Sequence, residues 1–498
     1  MKFIHDLLEK SKGNSLFLTE KNEVNLEDLR KNTRKTASFL QFYNVRPGDR
    51  VLIMVDNSIE LVQILLATSI VRAIAVIIYP GTLKDNLNYI IEDCNPTLII
   101  SNGNCENNKA IVHISLEEYK YYLKSEYYLN DINLRKYEYS NYDKVLLIYT
   151  SGSTGKPKAV VSTHNQVMFC VQAISRELEI NDLDTIGCLL PFSFDYGLYQ
   201  VFLALYNGAN LYIGSSNDAG IRLLSFLNKR KITIFPSVPH LTKGLIKLLE
   251  VKKETLNLKK ITNTGEHLPH TLIQKIKTLM PHCKVYSMYG LTECKRVSIL
   301  SPSDWEIKPH SVGRPLGGTR CYIVNENNEI VPLGEKGELV VVGPNVMNGY
   351  WNQVGLTNQK FRKNWISLKG DETALFTGDI FHMDYDGYLY FHGRKDEQFK
   401  QKGFRLSIKE IEDTVNNIDS VETAILIPPT KEIEKSILFV RTQKDLTYIN
   451  GILKEKLEFY KIPQLVLKID NFPTTNNGKI DRKELINTYL RGENNVIS

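Results

Sequence analysis

The chain has 498 residues, 42 % hydrophobic and 24 % charged, a balance that excludes a disordered or fibrous protein and, at roughly 150 residues per domain, calls for two or three cores. Sixty-two basic against 56 acidic residues leave +6, a weak bias with no dense Lys/Arg block, so no nucleic-acid partner is expected. Seven cysteines (Cys94, Cys105, Cys170, Cys188, Cys283, Cys294 and Cys321) are scattered, with no CxxC pair and no zinc-finger spacing, which fits reduced thiols in a cytoplasmic protein.

The first residues place His5, Asp6 and Glu9 where an export signal needs an unbroken apolar run. The apolar stretch from Leu61 to Tyr79 is interrupted by Gln63 and Arg72, and it divides into a core helix (LVQILLATSI) and a core strand (AIAVIIY) with no membrane span. RVLIMV, PTLIIS, KVLLIYTS, ANLYIG and KITIFP read as further strands alternating with helix-period segments, the pattern of stacked α/β layers with largely parallel sheets. The segment from Lys120 to Tyr142, rich in Tyr, Asn and Lys, reads as surface. From about Gly317 the runs shorten and turns multiply (RCYIVNENNEIVPLGEKGELVVVG, then DGYLYFHGR), which predicts an antiparallel, β-rich part through residue 395. Beyond it, SIKEIEDTVNNI, VETAILIPP and SILFVRT predict a small α+β domain over residues 396–498. The expected class is therefore α/β, with a large N-terminal domain over 1–395 and a small C-terminal one.

The strongest local signal is LLIYTSGSTGKPKAVVSTH, from Leu146 to His164. A β-run opens there into Thr150, Ser151, Gly152, Ser153, Thr154, Gly155, Lys156, Pro157 and Lys158. Glycines let backbone N–H groups approach an anion, hydroxyls add donors and lysines add charge, a combination suited to a polyphosphate. It is not a Walker A loop, because the first glycine of that motif would fall at Thr150 and Lys156 is followed by Pro157. The plain alternative for such a string is a flexible polar turn.

The string resembles the phosphate loop of the adenylate-forming superfamily, which comprises acyl-CoA synthetases, luciferases and the adenylation domains that load carrier proteins. Further matching strings follow in the family's order: PFSFDYG, NTGEHLP, YGLTE, TGD, GRKDEQFKQKGFRLSIKEIE and PTTNNGKIDRKEL. Ala159 departs from the glycine usual after the PK pair. The resemblance implies an ATP-dependent ligase that forms acyl-AMP with release of pyrophosphate and then a thioester, using ATP and Mg²⁺. It also implies that Thr150, Ser151, Gly152, Ser153, Thr154 and Lys158 grip the β- and γ-phosphates. Gly265, Glu266, Tyr289 and Gly290 would form the adenine pocket, Thr292 would meet the α-phosphate, and Glu293 would hold the metal. Asp379 would accept the ribose hydroxyls with Arg394 beside it. Lys479 would bridge the carboxylate and the α-phosphate, and Asp396 would be the hinge of a mobile C-terminal domain. Lys483 reads as a helix-surface charge, and the HxxH of His267 and His270 as a solvated loop rather than a metal pair.

PFSFDYGLYQ bears on the acid. By the resemblance, FD marks amino-acid-activating members, with Asp195 holding the substrate ammonium, and a carboxylate set among Phe194, Tyr196 and Tyr199 is costly until a cation arrives. Tyr196, Tyr199, Met288 and Arg296 would line the side-chain pocket. Arg296, where a small or apolar residue is usual, either selects a polar or acidic side chain or points outward. No carrier module follows before Ser498, so the expected acceptor is a separate carrier protein's phosphopantetheine thiol, with free CoA and an aryl or fatty acid as the alternative. A catalytically inactive nucleotide-binding protein is the reading from another class, disfavoured by the joint presence of Thr154, Glu293, Asp379 and Lys479.

Overall fold

Apolar runs without a polar alternation form the centres of two large sheets. In a computed structural model, Val112–Ser115, Leu98–Ser101, Arg50–Met54, Ile74–Ile77, Lys144–Thr150 and Lys158–Thr163 make a six-stranded sheet in that order, parallel except for the last pair. Val51, Leu52 and Ile53 are fully buried along one strand, as expected where helices cover both faces. The structure describes residues 1–11, 15–103, 111–125, 137–150, 156–265, 268, 270–363, 365, 372–395, 398–430, 432–473 and 480–492. Two compact units are present. One comprises Met1–Pro80, Ile90–Thr150 and Lys158–Lys395, the other Gly81–Tyr89, Ser151–Pro157 and Asp396–Ser498.

The second large sheet, of nine strands, sets Lys284–Tyr289, Lys260–Asn263, Ile234–Ser237, Thr185–Cys188 and Asn210–Ile213 side by side and parallel. Parallel strands end on one edge, so the segments after residues 188, 237, 263 and 289 emerge together. In open α/β sheets, ligands sit outside such carboxyl ends. A third sheet of the same unit is antiparallel and holds Arg320–Val324, Gly337–Val342, Thr373–Met383, Phe361–Lys363 and Leu389–Arg394.

The other unit contains the hairpin Gln398–Gln401 with Phe404–Ser407, and the sheet Val421–Ile427, Ile437–Thr442, Leu465–Lys468. Helix Ile408–Asn416 begins at Ser407, whose side chain accepts the Glu410 backbone N–H at 3.2 Å, a capping bond that satisfies one orphan donor of the first turn. Lys461 is buried in this unit between Glu410 and Glu458, 3.0 Å from the latter's Oε2.

The 120–142 segment is not all surface. Tyr139 packs its ring on Phe3 and His5 and donates its hydroxyl to the Ile70 carbonyl at 2.7 Å. Composition misreads it because tyrosine serves both surfaces and cores. Six of the cysteines lie in the described residues, all as free thiols. Among the described residues no helix is long and apolar enough to cross a membrane.

Candidate active site

Three segments distant in sequence meet around Asp379. Strand Thr373–Met383 pairs antiparallel with Leu389–Arg394 in a register that sets Asp379 directly opposite Arg394. The guanidinium Nη1 lies 2.9 Å from Asp379 Oδ1, with both side chains almost wholly buried. Tyr289, the last residue of its parallel strand, donates its hydroxyl to Asp379 Oδ2 at 2.6 Å. Burial and this carboxylate push the Tyr289 phenol well above its ordinary value and keep it protonated. The TGD turn is built locally: Gly378 takes φ +74°, Thr377 Oγ1 donates to the Leu339 carbonyl at 2.7 Å, and the Gly378 N–H donates to Glu338 Oε1 at 2.9 Å. Asp379 is thus oriented by its own flanking residues.

The loop after Tyr289 folds back sharply. The Val297 N–H returns to the Tyr289 carbonyl at 2.9 Å, and a Cβ on Gly290 would lie 1.9 Å from the Lys295 carbonyl oxygen, so only glycine fits there. Asn345 donates to the Cys294 and Arg296 carbonyls at 3.3 and 3.1 Å, and the Met347 N–H to the Glu293 carbonyl at 2.9 Å. This pinning aims Glu293 inward. Its Oε1 accepts the Tyr350 hydroxyl at 2.7 Å and stands 3.5 Å from the Lys158 ammonium, which itself donates to the Tyr350 oxygen at 3.0 Å. All three groups are buried. Thr292, next to Glu293, is partly exposed.

Beside these lies a second buried polar group. Helix Asp195–Asn207 begins with Asp195, a carboxylate in the first turn where the helix dipole favours it. A Cβ on Gly197 would meet the Pro191 carbonyl at 2.3 Å, so this turn is pressed against the strand-end loop. Lys295 reaches Asp195 Oδ2 at 3.8 Å, and its ammonium has no hydrogen-bond partner. Arg296 is buried, with Nη1 donating to Thr264 Oγ1, Cζ 5.4 Å from the Tyr196 ring centroid, and Nε without a partner. Burial lowers the pKa of both bases, opposed for Lys295 by the Asp195 carboxylate and for Arg296 by Tyr196 and Asp195. Tyr196 donates to the Thr262 carbonyl at 2.8 Å, while the Tyr199 hydroxyl is buried without a partner. Met288 is buried on the strand that ends at Tyr289.

The structure therefore brings Tyr289, Asp379 and Arg394 together, joins Lys158 to Glu293, and gathers Asp195, Tyr196 and Arg296. Arg296 points inward, which closes the alternative of an outward side chain. Thr150 ends its strand, its hydroxyl 3.5 Å from the Lys158 carbonyl, and Gly265 takes φ +95° just after Thr264. Ser151, Gly152, Ser153, Thr154, Glu266, His267, Asp396 and Lys479 lie outside the described residues. Sequence reasoning missed Tyr350, whose only signal is the NGYW string after a tight turn at Gly349 (φ +85°), and Lys295, which looks like an ordinary surface charge in ECKR.

Residues 9–351 match the family model described as AMP-binding enzyme. The chain belongs to that family, the adenylate-forming ligases its motifs resemble. It is 28 % identical over 484 residues to gramicidin S synthase 2 of Brevibacillus brevis, covering 96 % of this chain but 11 % of that protein; the chain thus spans only about a tenth of that relative. The crystal structure of VinN, 30 % identical, superposes with a TM-score of 0.71 over 78 % of this chain and 98 % of VinN, and VinN has also been solved in complex with L-aspartate. An artificially fused adenylation–PCP didomain, NpsA-ThdA from Klebsiella oxytoca, shares the fold, with a TM-score of 0.79 at 20 % identity over 94 % of this chain and 93 % of the didomain.

Of the described residues, Glu293 fits a magnesium ion. No group of three or more His, Cys, Asp or Glu forms a cage among them, and Mg²⁺ is usually held by one or two carboxylates together with substrate phosphates and water. A single buried carboxylate beside Lys158 matches that donor set.

Proposed function

We propose that this chain activates an amino acid with ATP and passes it to the phosphopantetheine thiol of a separate carrier protein. In the first half, a carboxylate oxygen forms a bond to the α-phosphorus while the bond from that phosphorus to the bridging oxygen breaks, and pyrophosphate leaves with the electron pair. In the second, the thiol sulfur bonds to the acyl carbon, the carbon–oxygen bond to AMP breaks, and the thiol proton passes to solvent. Asp379, oriented by Tyr289 and Arg394, binds the ribose hydroxyls, for which two acceptor oxygens are well matched. Lys158 and Thr150 through Thr154 neutralise the phosphates, Thr292 meets the α-phosphate, and Glu293 would hold a magnesium ion, whose charge would offset theirs when bound. Asp195 pairs with the substrate ammonium. Lys479 carries the charge between the two reacting anions, swung in with the C-terminal unit about Asp396.

One observation carries this reading: the single turn from Tyr289 to Glu293 touches both Asp379 and Lys158, linking a ribose-type carboxylate to a phosphate-type cation. The L-aspartate complex of VinN supports an amino acid, and the NpsA-ThdA fusion supports a carrier protein. A second reading, a non-amino acid loaded on CoA, is favoured by one fact: Asp195 already has an internal cation in Lys295. The test is ATP–pyrophosphate exchange against a panel of amino acids and aryl and fatty acids, followed by thioester formation with a phosphopantetheinylated carrier or with CoA. Exchange driven only by acids without an amine would overturn the amino-acid reading, and absence of exchange with every acid would overturn the ligase.

A further inference from the structure

Arg296 is a permanent cation inside the protein, and no ion-pair partner for it stands among the described residues. Its side chain is buried, its neighbours are the neutral Thr264 hydroxyl and the Tyr196 ring, and among the described residues no carboxylate stands within 4.0 Å of it. The Asp195 carboxylate acts on Arg296 only from beyond 4.0 Å; it stands 3.8 Å from Lys295, whose ammonium is left without a hydrogen bond. The three charged groups sum to +1 in a place screened from water. An uncompensated buried charge is strongly destabilising, and folded proteins rarely carry one without a ligand or a partner to receive it.

We propose that the missing anion arrives with the substrate, and that the acid activated here is an amino dicarboxylic acid of the aspartate or glutamate class. The inference rests on the amino-acid reading of Asp195 given above. One carboxylate of such a substrate goes to the α-phosphate. Its ammonium displaces part of the Lys295 contact at Asp195. The second carboxylate lies against the Arg296 guanidinium and the Lys295 ammonium, whose unused donors supply its hydrogen bonds. In the pocket the substrate's ammonium and second carboxylate leave the charge at +1 with each cation given an anion to face, whereas a neutral amino acid brings its ammonium alone, raises the charge to +2 and leaves Arg296 unpaired. Sites built to bond a buried polar group reject analogues lacking it far more strongly than apolar pockets reject a missing methylene.

The test is pyrophosphate exchange with L-aspartate, L-glutamate, their amides L-asparagine and L-glutamine, L-leucine, and succinate, which lacks the amine. The expected result is a kcat/KM at least 100-fold higher for one of the amino dicarboxylates than for its own amide, with succinate at least 100-fold lower. Arg296→Gln should lower that acid-to-amide ratio at least 30-fold, and Arg296→Lys should lower it less. Because the ratio is read within one preparation, a loss of folded enzyme cancels. Preference for leucine or an amide, or an unchanged ratio in Arg296→Gln, would overturn the dicarboxylate assignment while leaving amino-acid activation standing. Succinate equal to aspartate would remove the ammonium from the scheme, and silence with every acid would remove the parent reading as well.

Discussion

Lys158 and Glu293 lie 3.5 Å apart although one belongs to a strand of the six-stranded sheet and the other to a loop leaving the nine-stranded sheet. Tyr350 bridges them, accepting from the lysine and donating to the carboxylate. The six-stranded and nine-stranded sheets are therefore joined at the point proposed for the metal and phosphates. Glu293→Gln keeps the shape and removes the charge. Pyrophosphate exchange should fall by about 100-fold, the scale of losing one preorganised electrostatic group, and raising Mg²⁺ should recover part of it. Tyr350→Phe should cost about tenfold, near the ~1.5 kcal/mol of a hydrogen bond to a charged partner. An unaffected Glu293→Gln enzyme would remove that residue from the site.

Asp379 is held by two partners before any nucleotide arrives. Asp379→Ala should weaken ATP binding roughly 30-fold, on the order of 2 kcal/mol for lost charge-assisted hydrogen bonds. Tyr289→Phe, which frees Oδ2 without removing it, should weaken binding several-fold less. Equilibrium titration with a fluorescent ATP analogue measures both, and equal affinities across wild type and Asp379→Ala would contradict the ribose assignment.

If Lys479 serves the first half-reaction alone, Lys479→Ala should lower pyrophosphate exchange by about 100-fold or more, while thioester formation from chemically supplied acyl-AMP falls far less. Parallel loss of both half-reactions would show that the lysine is not confined to the adenylation step.

His164 is buried, and its Nδ1 accepts the Ile4 backbone N–H at 3.1 Å. Burial lowers its pKa to about 3 from an ordinary 6.5, and the acceptor role of Nδ1 requires the neutral ring. Since the folded pKa lies below the unfolded one, this histidine's contribution is complete above about pH 6.5 and is lost as pH falls from there towards 3, a change on the order of a few kcal/mol. Thermal unfolding should show a falling Tm across that window. His164→Asn, which retains an acceptor but does not titrate there, should flatten the decline; an identical pH profile would exclude His164 as its source.

Lys461 balances Glu410 and Glu458 inside the smaller unit. Lys461→Met leaves two buried carboxylates facing each other and should destabilise that unit by about 3–5 kcal/mol. Denaturant unfolding followed by native-state proteolysis of the C-terminal unit would detect this, and a wild-type midpoint would refute it.

Much of the fold was legible because buried parallel strands must be continuously apolar: RVLIM, LIIS and KVLLIYT all fall on strands. The pairing of Asp379 with Arg394 could be anticipated from TGD and GRKD as strings, but its cause, a shared register across two antiparallel strands, has no signature in either string. Lys295 and Arg296 were harder. Buried charges carry no periodicity, and in ECKR they look like a solvated run until the return of Val297 to Tyr289 turns them inward. Tyr350 was missed for a related reason: its role depends on a contact between residues 192 positions apart. The 120–142 segment misled because tyrosine-rich composition says nothing about which rings find a partner.

The folded-back stretch that starts at Gly290 has a practical corollary for anyone wishing to retarget this protein. The groups proposed for the nucleotide and for the acid hang from the same eight-residue clasp, Tyr289 to Arg296, with no room at Gly290 for even a methyl group. Redesign of acid choice by grafting whole segments from a homologue should thus disturb ATP handling. Single exchanges at position 296, leaving the clasp intact, are the economical starting point for a mutant library.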